Sequence, residues 1–216
     1  MTSRDDRTVV HLVRHGEVDN PGGVLYGRMP GFHLSALGRE MAQRAAAYLG
    51  GHPITHLVSS PLERAQETME PLAERLKLPV TLDDRVIEAA NDFEGLTVGK
   101  KPAQLLNPRF WPKLVNPIQP SWGEPYQEVA ERMSAAIVDA RDAALGHEAV
   151  IVSHQLPVWT ARQHYADKRL WHDPRKRQCS LASVTSLTFL GAELESIGYA
   201  EPARDLLPNA SGAVGA

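Results

Sequence analysis

The 216-residue chain predicts an α/β protein: a three-layer α/β/α sandwich with a mainly parallel central sheet and an inserted lid segment. Three observations carry this. Short apolar runs of strand length alternate with longer stretches of helical spacing, as in parallel strands joined by crossover helices. Three of those runs end in residues that bear chemistry, Arg14-His15, Ser59-Ser60 and Ser153-His154, and open α/β sheets bind their ligands outside the carboxyl ends of the strands. The length lies within the range that one α/β core fills, so residues 1–216 read as a single domain.

The elements follow in order. Val9-Val10-His11-Leu12-Val13 is a short buried strand. Ser35 caps a helix over 36–49. The apolar run 54–58 is a second strand, after which Ser60 reads as an N-cap and Pro61 as the first residue of a helix over 61–76. Val80-Thr81-Leu82 is a third strand. A long helix over 126–145, closed by Gly146, leads into the strand Ala149-Val150-Ile151-Val152, and a further helix covers 155–165. Strands over 181–190 and 194–199 form a terminal pair, and 206–216 reads as a loose tail. The irregular stretch 95–125 contains Pro102, Pro108, Pro112, Pro117, Pro120 and Pro125, with Phe110, Trp111 and Trp122. Long loops in compact domains are often lids or binding loops. Its Lys100, Lys101, Arg109 and Lys113 read singly as solvated charges, and Trp111 and Trp122 as packing residues.

Composition bounds the function. A formal net charge of −3 argues against nucleic acid as the main partner. Cys179 is the only cysteine, which excludes an internal disulfide and reads as a buried structural thiol. Residues 1–7 lack the apolar core of a signal peptide. No run approaches the roughly 18–20 apolar residues of a membrane span, so a cytoplasmic location with no membrane partner is expected. His11, His33, His52, His56, His147, His164 and His172 show no His-Glu-x-x-His spacing, and most read as surface or packing residues. No metal or cofactor is expected. His172-Asp173-Pro174-Arg175-Lys176-Arg177 reads as a solvated basic loop.

The strand ends point to phosphate chemistry. Arg14 offers a permanent charge and a planar fork of donors. Gly16 lets the backbone pass close to a bound group. His15 carries the only side chain whose unperturbed pKa lies near neutrality, and a neutral imidazole nitrogen can attack phosphorus. Arg64 falls in the first turn of a helix, where free N–H groups and the dipole favour an anion. With His154 at another strand end, two histidines and two arginines converge on one edge of a parallel sheet.

Arg14-His15-Gly16-Glu17, Ser59-Ser60-Pro61 with Arg64, Glu88 and Ser153-His154, in that order over about 9–190, resemble the histidine phosphatase superfamily in its phosphoglycerate mutase-like branch. The resemblance implies that His15 is the nucleophile and becomes phosphohistidine, that Arg14, Arg64 and His154 hold the phosphoryl oxygens, and that Glu88 protonates the leaving group. The Glu88–Gly95 signature is one residue shorter than the family's, which leaves Glu94 as the fallback acid. Asn20, in the loop after Glu17, and Gln155, where glycine is usual, are the further substrate contacts. The resemblance also implies that the insertion at 95–125 covers the substrate. Tyr26, Arg28 and Phe32 read as either lining or packing.

The expected activity is that of a metal-independent, histidine acid phosphatase-type phosphomonoesterase acting on a small phosphorylated metabolite. Two alternatives remain: phosphoglycerate mutase-type transfer, and a non-catalytic protein that binds a phospho-ligand on the same scaffold. The family's mutases carry Arg-Arg-Tyr-Gly after the Glu-Gly signature, where this chain has Lys100-Lys101-Pro102-Ala103. The sequence leaves the oligomeric state open.

Overall fold

The computed structural model describes residues 7–97 and 123–210. Most of the expected lid, including Lys100, Lys101, Arg109, Trp111, Lys113 and Trp122, lies outside the described residues. Six strands form one sheet in the order β3-β2-β4-β1-β5-β6. They are β1 Arg7–Arg14, β2 Ile54–Ser59, β3 Val80–Leu82, β4 Glu148–Ser153, β5 Val184–Leu190 and β6 Glu193–Ala200. The first four run parallel, and β5 and β6 add an antiparallel edge. The helices are α1 Ala36–Leu49, α2 Glu63–Leu76, α3 Tyr126–Ala143 and α4 Gln155–Tyr165.

The two faces of the central strands build the three layers, because successive side chains of a strand point to opposite sides. Val10 and Leu12 of β1 and Ala149 and Ile151 of β4 pack with Val129, Met133, Ile137 and Ala140 of α3 and with Val158 and Ala161 of α4. Val13, Val150 and Val152 face the other way, onto Ala46 and Leu49 of α1 and Ala65, Met69 and Leu72 of α2. Both faces being covered explains why these strands read as continuous apolar runs rather than alternating ones. Among the described residues, no helix is long and apolar enough to cross a membrane.

Three local expectations need correction. The helix expected from Pro61 begins at Glu63, with Leu62 at its N-cap. Ser60 does not cap it in the usual way. Its hydroxyl lies 3.4 Å from the Leu62 amide and is engaged elsewhere. The tail expected over 206–216 is docked at its start: a 3-10 helix at Arg204–Asn209 buries Leu206 against Met41, Ala45, Ala182 and Ala203. The close approach at Gly16 is to backbone rather than to a ligand. A Cβ there would lie 2.5 Å from the Gly38 carbonyl oxygen, and one on Gly38 would lie 1.9 Å from the Glu17 carbonyl oxygen.

The loop after β1 and the first turn of α1 therefore touch through two glycines. Ser35 fixes the same junction, since its hydroxyl accepts the Gly38 amide at 2.9 Å and donates to the Glu17 carboxylate. A Gly38→Ala substitution forces the two backbones apart. It is expected to destabilise the protein by at least the roughly 1–3 kcal/mol of an overpacked core, read from the denaturation midpoint, whereas Ala→Gly changes on the exposed face of α1 should cost about 1 kcal/mol or less.

Candidate active site

The parallel strands place the expected residues at one edge. β1 ends at Arg14, and the ladder continues one step further, with the His15 amide donating to the Ser153 carbonyl at 3.1 Å. The Ser60 amide donates to the Val152 carbonyl at 3.0 Å, so β2 is held against β4 in the same way. His15 and His154, each one residue past a strand end, sit with ring centroids 5.2 Å apart, and both are fully buried. The Arg14, Arg64 and Arg132 charges bear on His154, and those of Arg14, Arg64 and Arg177 on Glu88.

Hydrogen bonds fix the state of His15. Its Nδ1 lies 2.7 Å from the Gly16 carbonyl oxygen. A carbonyl only accepts, so Nδ1 carries the proton and Nε2 of the neutral ring presents a lone pair. Burial, reinforced by the Arg64 and Arg14 charges, holds the His15 pKa well below the usual imidazole range despite the Gly16 bond. The ring is therefore neutral at physiological pH. The loop is anchored beneath it: the Gly16 amide donates to Thr68 Oγ1 at 3.1 Å, and that hydroxyl donates to the Arg64 carbonyl at 2.7 Å.

Arg64 is fully buried. Its Nη2 donates to the Gly27 carbonyl at 2.6 Å, and its guanidinium lies 4.7 Å from the centroid of the Tyr26 ring. Tyr26 in turn packs on Phe32, ring centroids 4.9 Å apart, so both aromatics support the arginine. Arg14 Nη1 donates to the Cys179 carbonyl at 2.8 Å, with the Cys179 thiol buried behind it. His154 Nε2 lies 2.8 Å from the Ser60 hydroxyl. A Ser60 hydroxyl that donates to Nε2 puts the ring proton on Nδ1, and one that accepts keeps it on Nε2.

Glu88 is buried, and its Oε1 accepts the Ala89 amide at 2.8 Å. Burial pushes its pKa above the ordinary carboxyl range, outweighing the Ala89 bond and the Arg64, Arg177 and Arg14 charges. Its backbone is braced from two sides. Arg28 Nε donates to the Glu88 carbonyl at 2.6 Å, and Arg132 Nη1 to the Ile87 carbonyl at 2.7 Å. Glu124 ties both arginines together, accepting Arg28 Nη2 at 2.7 Å and Arg132 Nε at 2.7 Å. Glu94 is committed to the loop after β1, where Oε1 accepts the Arg28 amide at 2.8 Å.

The cluster is left polar and unsatisfied. Arg14 Nε, His15 Nε2, Arg64 Nε, Arg64 Nη1, Glu88 Oε2 and His154 Nδ1 are all buried with no hydrogen-bond partner among the described residues. Buried polar atoms are normally paired, and exceptions mark strain or function. Here the orphans are mostly donors, beside one imidazole lone pair and one raised-pKa carboxyl. A tetrahedral oxyanion satisfies such a set.

The remaining expectations divide. Asn20 does not join the cluster: its amide bonds Val24 at both ends, donating to the carbonyl at 2.8 Å and accepting the amide at 3.0 Å. Gln155 Oε1 accepts Arg177 Nη1 at 3.3 Å. Arg177 also donates from Nε to His172 Nε2 at 2.8 Å, and its charge acts on Glu88. The basic loop at 172–177 is thus not merely solvated, since it delivers a cation to the edge of the site. Sequence reading missed this, as it missed Thr68, Glu124 and Arg132, because none lies in a recognisable spacing.

Residues 10–200 match the family model of the histidine phosphatase superfamily, branch 1, and the chain belongs to that family. An uncharacterized protein of Mycobacterium tuberculosis is 54% identical over 198 residues, covering 92% of this chain and 98% of its own. A probable phosphoglycerate mutase of Escherichia coli is 29% identical over 197 residues, covering 81% of this chain and 83% of its own. Among solved structures, a mycobacterial glucosyl-3-phosphoglycerate phosphatase superposes with a TM-score of 0.71 at 27% identity, covering 90% of this chain and 96% of its own.

Inorganic phosphate and vanadate are expected to bind this cluster. Arg64→Met removes two of its orphan donors. It is expected to weaken anion binding by roughly 30-fold or more, the effect of losing about 2–5 kcal/mol of buried charge pairing, read by calorimetry. Unchanged affinity would place the anion elsewhere.

Proposed function

We propose that the protein hydrolyses phosphomonoesters of a small phosphorylated metabolite through a phosphohistidine at His15. The observation that carries this reading is the His15 tautomer: Nδ1–H donates to the Gly16 carbonyl and leaves a buried Nε2 lone pair that, like the arginine donors around it, has no partner among the described residues. In-line attack by Nε2 on phosphorus expels the alcohol. Arg14, Arg64 and the His154 Nδ1–H neutralise charge on the equatorial oxygens, which is most of what phosphoryl transfer asks of a protein. Glu88 gives its proton to the departing oxygen, and its carboxylate then takes one from the water that cleaves the N–P bond. Ester and water are consumed, and alcohol and phosphate are released. The positive charge comes from the arginines, so turnover should survive exhaustive chelation.

The superfamily match and the phosphatase neighbour support hydrolysis. The Escherichia coli relative favours a second reading, mutase-type transfer, in which the phosphohistidine passes to a second hydroxyl instead of to water. The two separate on 3-phosphoglycerate: a phosphatase releases inorganic phosphate, and a mutase forms 2-phosphoglycerate. The expected result is phosphate release across a panel of small esters.

His15→Ala should abolish turnover and acid-labile phosphorylation together, and retention of most activity would overturn the covalent mechanism. Glu88→Gln keeps the shape but not the proton. It should slow alkyl phosphates by about 10²–10⁴-fold while leaving aryl phosphates, whose leaving groups need little protonation, much less affected. Equal loss on both classes would instead give Glu88 a positioning role.

The pH dependence follows from the two shifts. His15 must be neutral to attack, and its lowered pKa sets the acid limb well below neutrality. Glu88 must hold its proton, and its raised pKa sets the alkaline limb. Hence kcat/KM for an alkyl phosphate should fall as pH rises through the raised Glu88 pKa and as pH drops through the lowered His15 pKa. Glu88→Gln should remove that fall beyond whatever the substrate's own ionisation contributes, and an unchanged alkaline limb would show that another group sets it.

A further inference from the structure

At the other end of the sheet, about 13 Å from His15 along β1 at ~3.3 Å per residue, three donors from separate parts of the chain meet at one point. His11 lies in β1, His52 in the loop between α1 and β2, and Glu148 opens β4. Glu148 Oε2 lies 2.6 Å from His11 Nε2 and 2.8 Å from His52 Nδ1. The ligating atoms all fall within 4.8 Å of one another. We infer that His11, His52 and Glu148 form a binding site for a transition-metal dication of the Zn²⁺ class, remote from and independent of the chemistry proposed at His15.

The geometry is close to that of a three-ligand centre. Zinc binds imidazole nitrogen at about 2.0–2.1 Å and carboxylate oxygen at about 2.0–2.2 Å, which for tetrahedral angles sets donors about 3.3 Å apart. The two separations from Glu148 Oε2, 2.6 and 2.8 Å, need to open by only about 0.5–0.7 Å to reach that spacing. His52 rides on a loop and is partly exposed, so it has the freedom to move. Two imidazoles and one carboxylate select Zn²⁺ and its neighbours over Mg²⁺ or Ca²⁺, which prefer all-oxygen sites.

The surroundings support the same reading. His11 Nδ1 lies 2.8 Å from the Ser186 hydroxyl. With the metal on Nε2, the ring proton moves to Nδ1 and is donated to Ser186, the outer hydrogen bond that metal-bound histidines usually make. His52 likewise shifts its proton to Nε2, so both rings stay neutral and the ion replaces two shared hydrogens. A cavity of about 530 Å³, lined in part by Tyr48, Pro53 and Thr188, opens onto the three donors and leaves room for water at a fourth position.

The test uses the full chain bearing His15→Ala, so that the histidine pair at the other end of the sheet does not compete for metal. After chelator treatment and removal, equilibrium dialysis with Zn²⁺ should leave one equivalent per chain. Co²⁺ should give the visible absorption of a four-coordinate site. Adding His52→Ala or Glu148→Gln should weaken binding by more than the roughly 10–100-fold that loss of an outer hydrogen bond costs, and should abolish any Zn²⁺-induced rise in melting temperature. His52 lies in a loop, so His52→Ala decides the matter if Glu148→Gln fails to fold. No retained equivalent, or one that survives His52→Ala with unchanged affinity, overturns the inference.

Discussion

A guanidinium cannot shed its charge, so the complete burial of Arg64 constrains everything built around it. Among the described residues only Nη2 has a hydrogen-bond acceptor, the Gly27 carbonyl, and the face of Tyr26 supplies a second, weaker contact. An isolated buried charge costs several kcal/mol even after relaxation. The protein carries that cost because the neighbours share the deficit: among the described residues Arg14 Nε and His154 Nδ1 also lack a partner. The site is an electrostatic hole prepared before the ligand arrives, and such preorganised donors need no rearrangement as charge develops. Burial keeps His15 neutral, and the Arg64 and Arg14 charges reinforce it, so the protonation state of the proposed nucleophile comes from the same enclosed, cationic pocket.

Glu88 shows the opposite balance. Three arginine charges pull its carboxyl towards ionisation, yet burial raises its pKa. Holding a carboxyl in that position needs a rigid main chain, because a small outward movement would hydrate it and cancel the shift. Arg28 and Arg132 supply that rigidity by donating to the Glu88 and Ile87 carbonyls, and Glu124 locks the two arginines to each other. Glu124 lies next to Gly123, which bridges back to Asn91. Glu88, the proposed acid, is thus clamped where the chain returns from the segment expected to be the lid.

How much of this the sequence displays depends on whether a signal is local. The strand ends at Arg14 and Ser153 and the Ser35 cap are legible because apolar runs and capping chemistry act over a few residues. Arg14, His15, Arg64, Glu88 and His154 are legible through their order and context, and the fold does bring them together. Ser60 misleads for a physical reason. Its hydroxyl has the chemistry of an N-cap, but a partner 94 residues away, His154, takes it. Asn20 misleads in reverse, since its amide closes its own loop on Val24. The bracing arginines, Arg177, and the His11, His52 and Glu148 group depend on strand order. That β4 enters between β2 and β1 is written in no window of the sequence, and without it Glu148 has no reason to lie beside His11.

The proposed nucleophile finally rests on the absence of two side chains. His15 presents Nε2 because its Nδ1–H is held by the Gly16 carbonyl. That carbonyl is fixed because the Gly16 amide is held by Thr68 and the loop lies against the first turn of α1, at a separation that admits no Cβ on either Gly16 or Gly38. A methyl group at either position would push the loop off α1 and swing the carbonyl, freeing Nδ1 and allowing the other tautomer. The ring would remain buried and neutral, but the lone pair would no longer be pinned to Nε2. The glycine after the histidine therefore matters less for letting a ligand approach than for letting two stretches of backbone meet, and it is that contact which selects the reactive nitrogen.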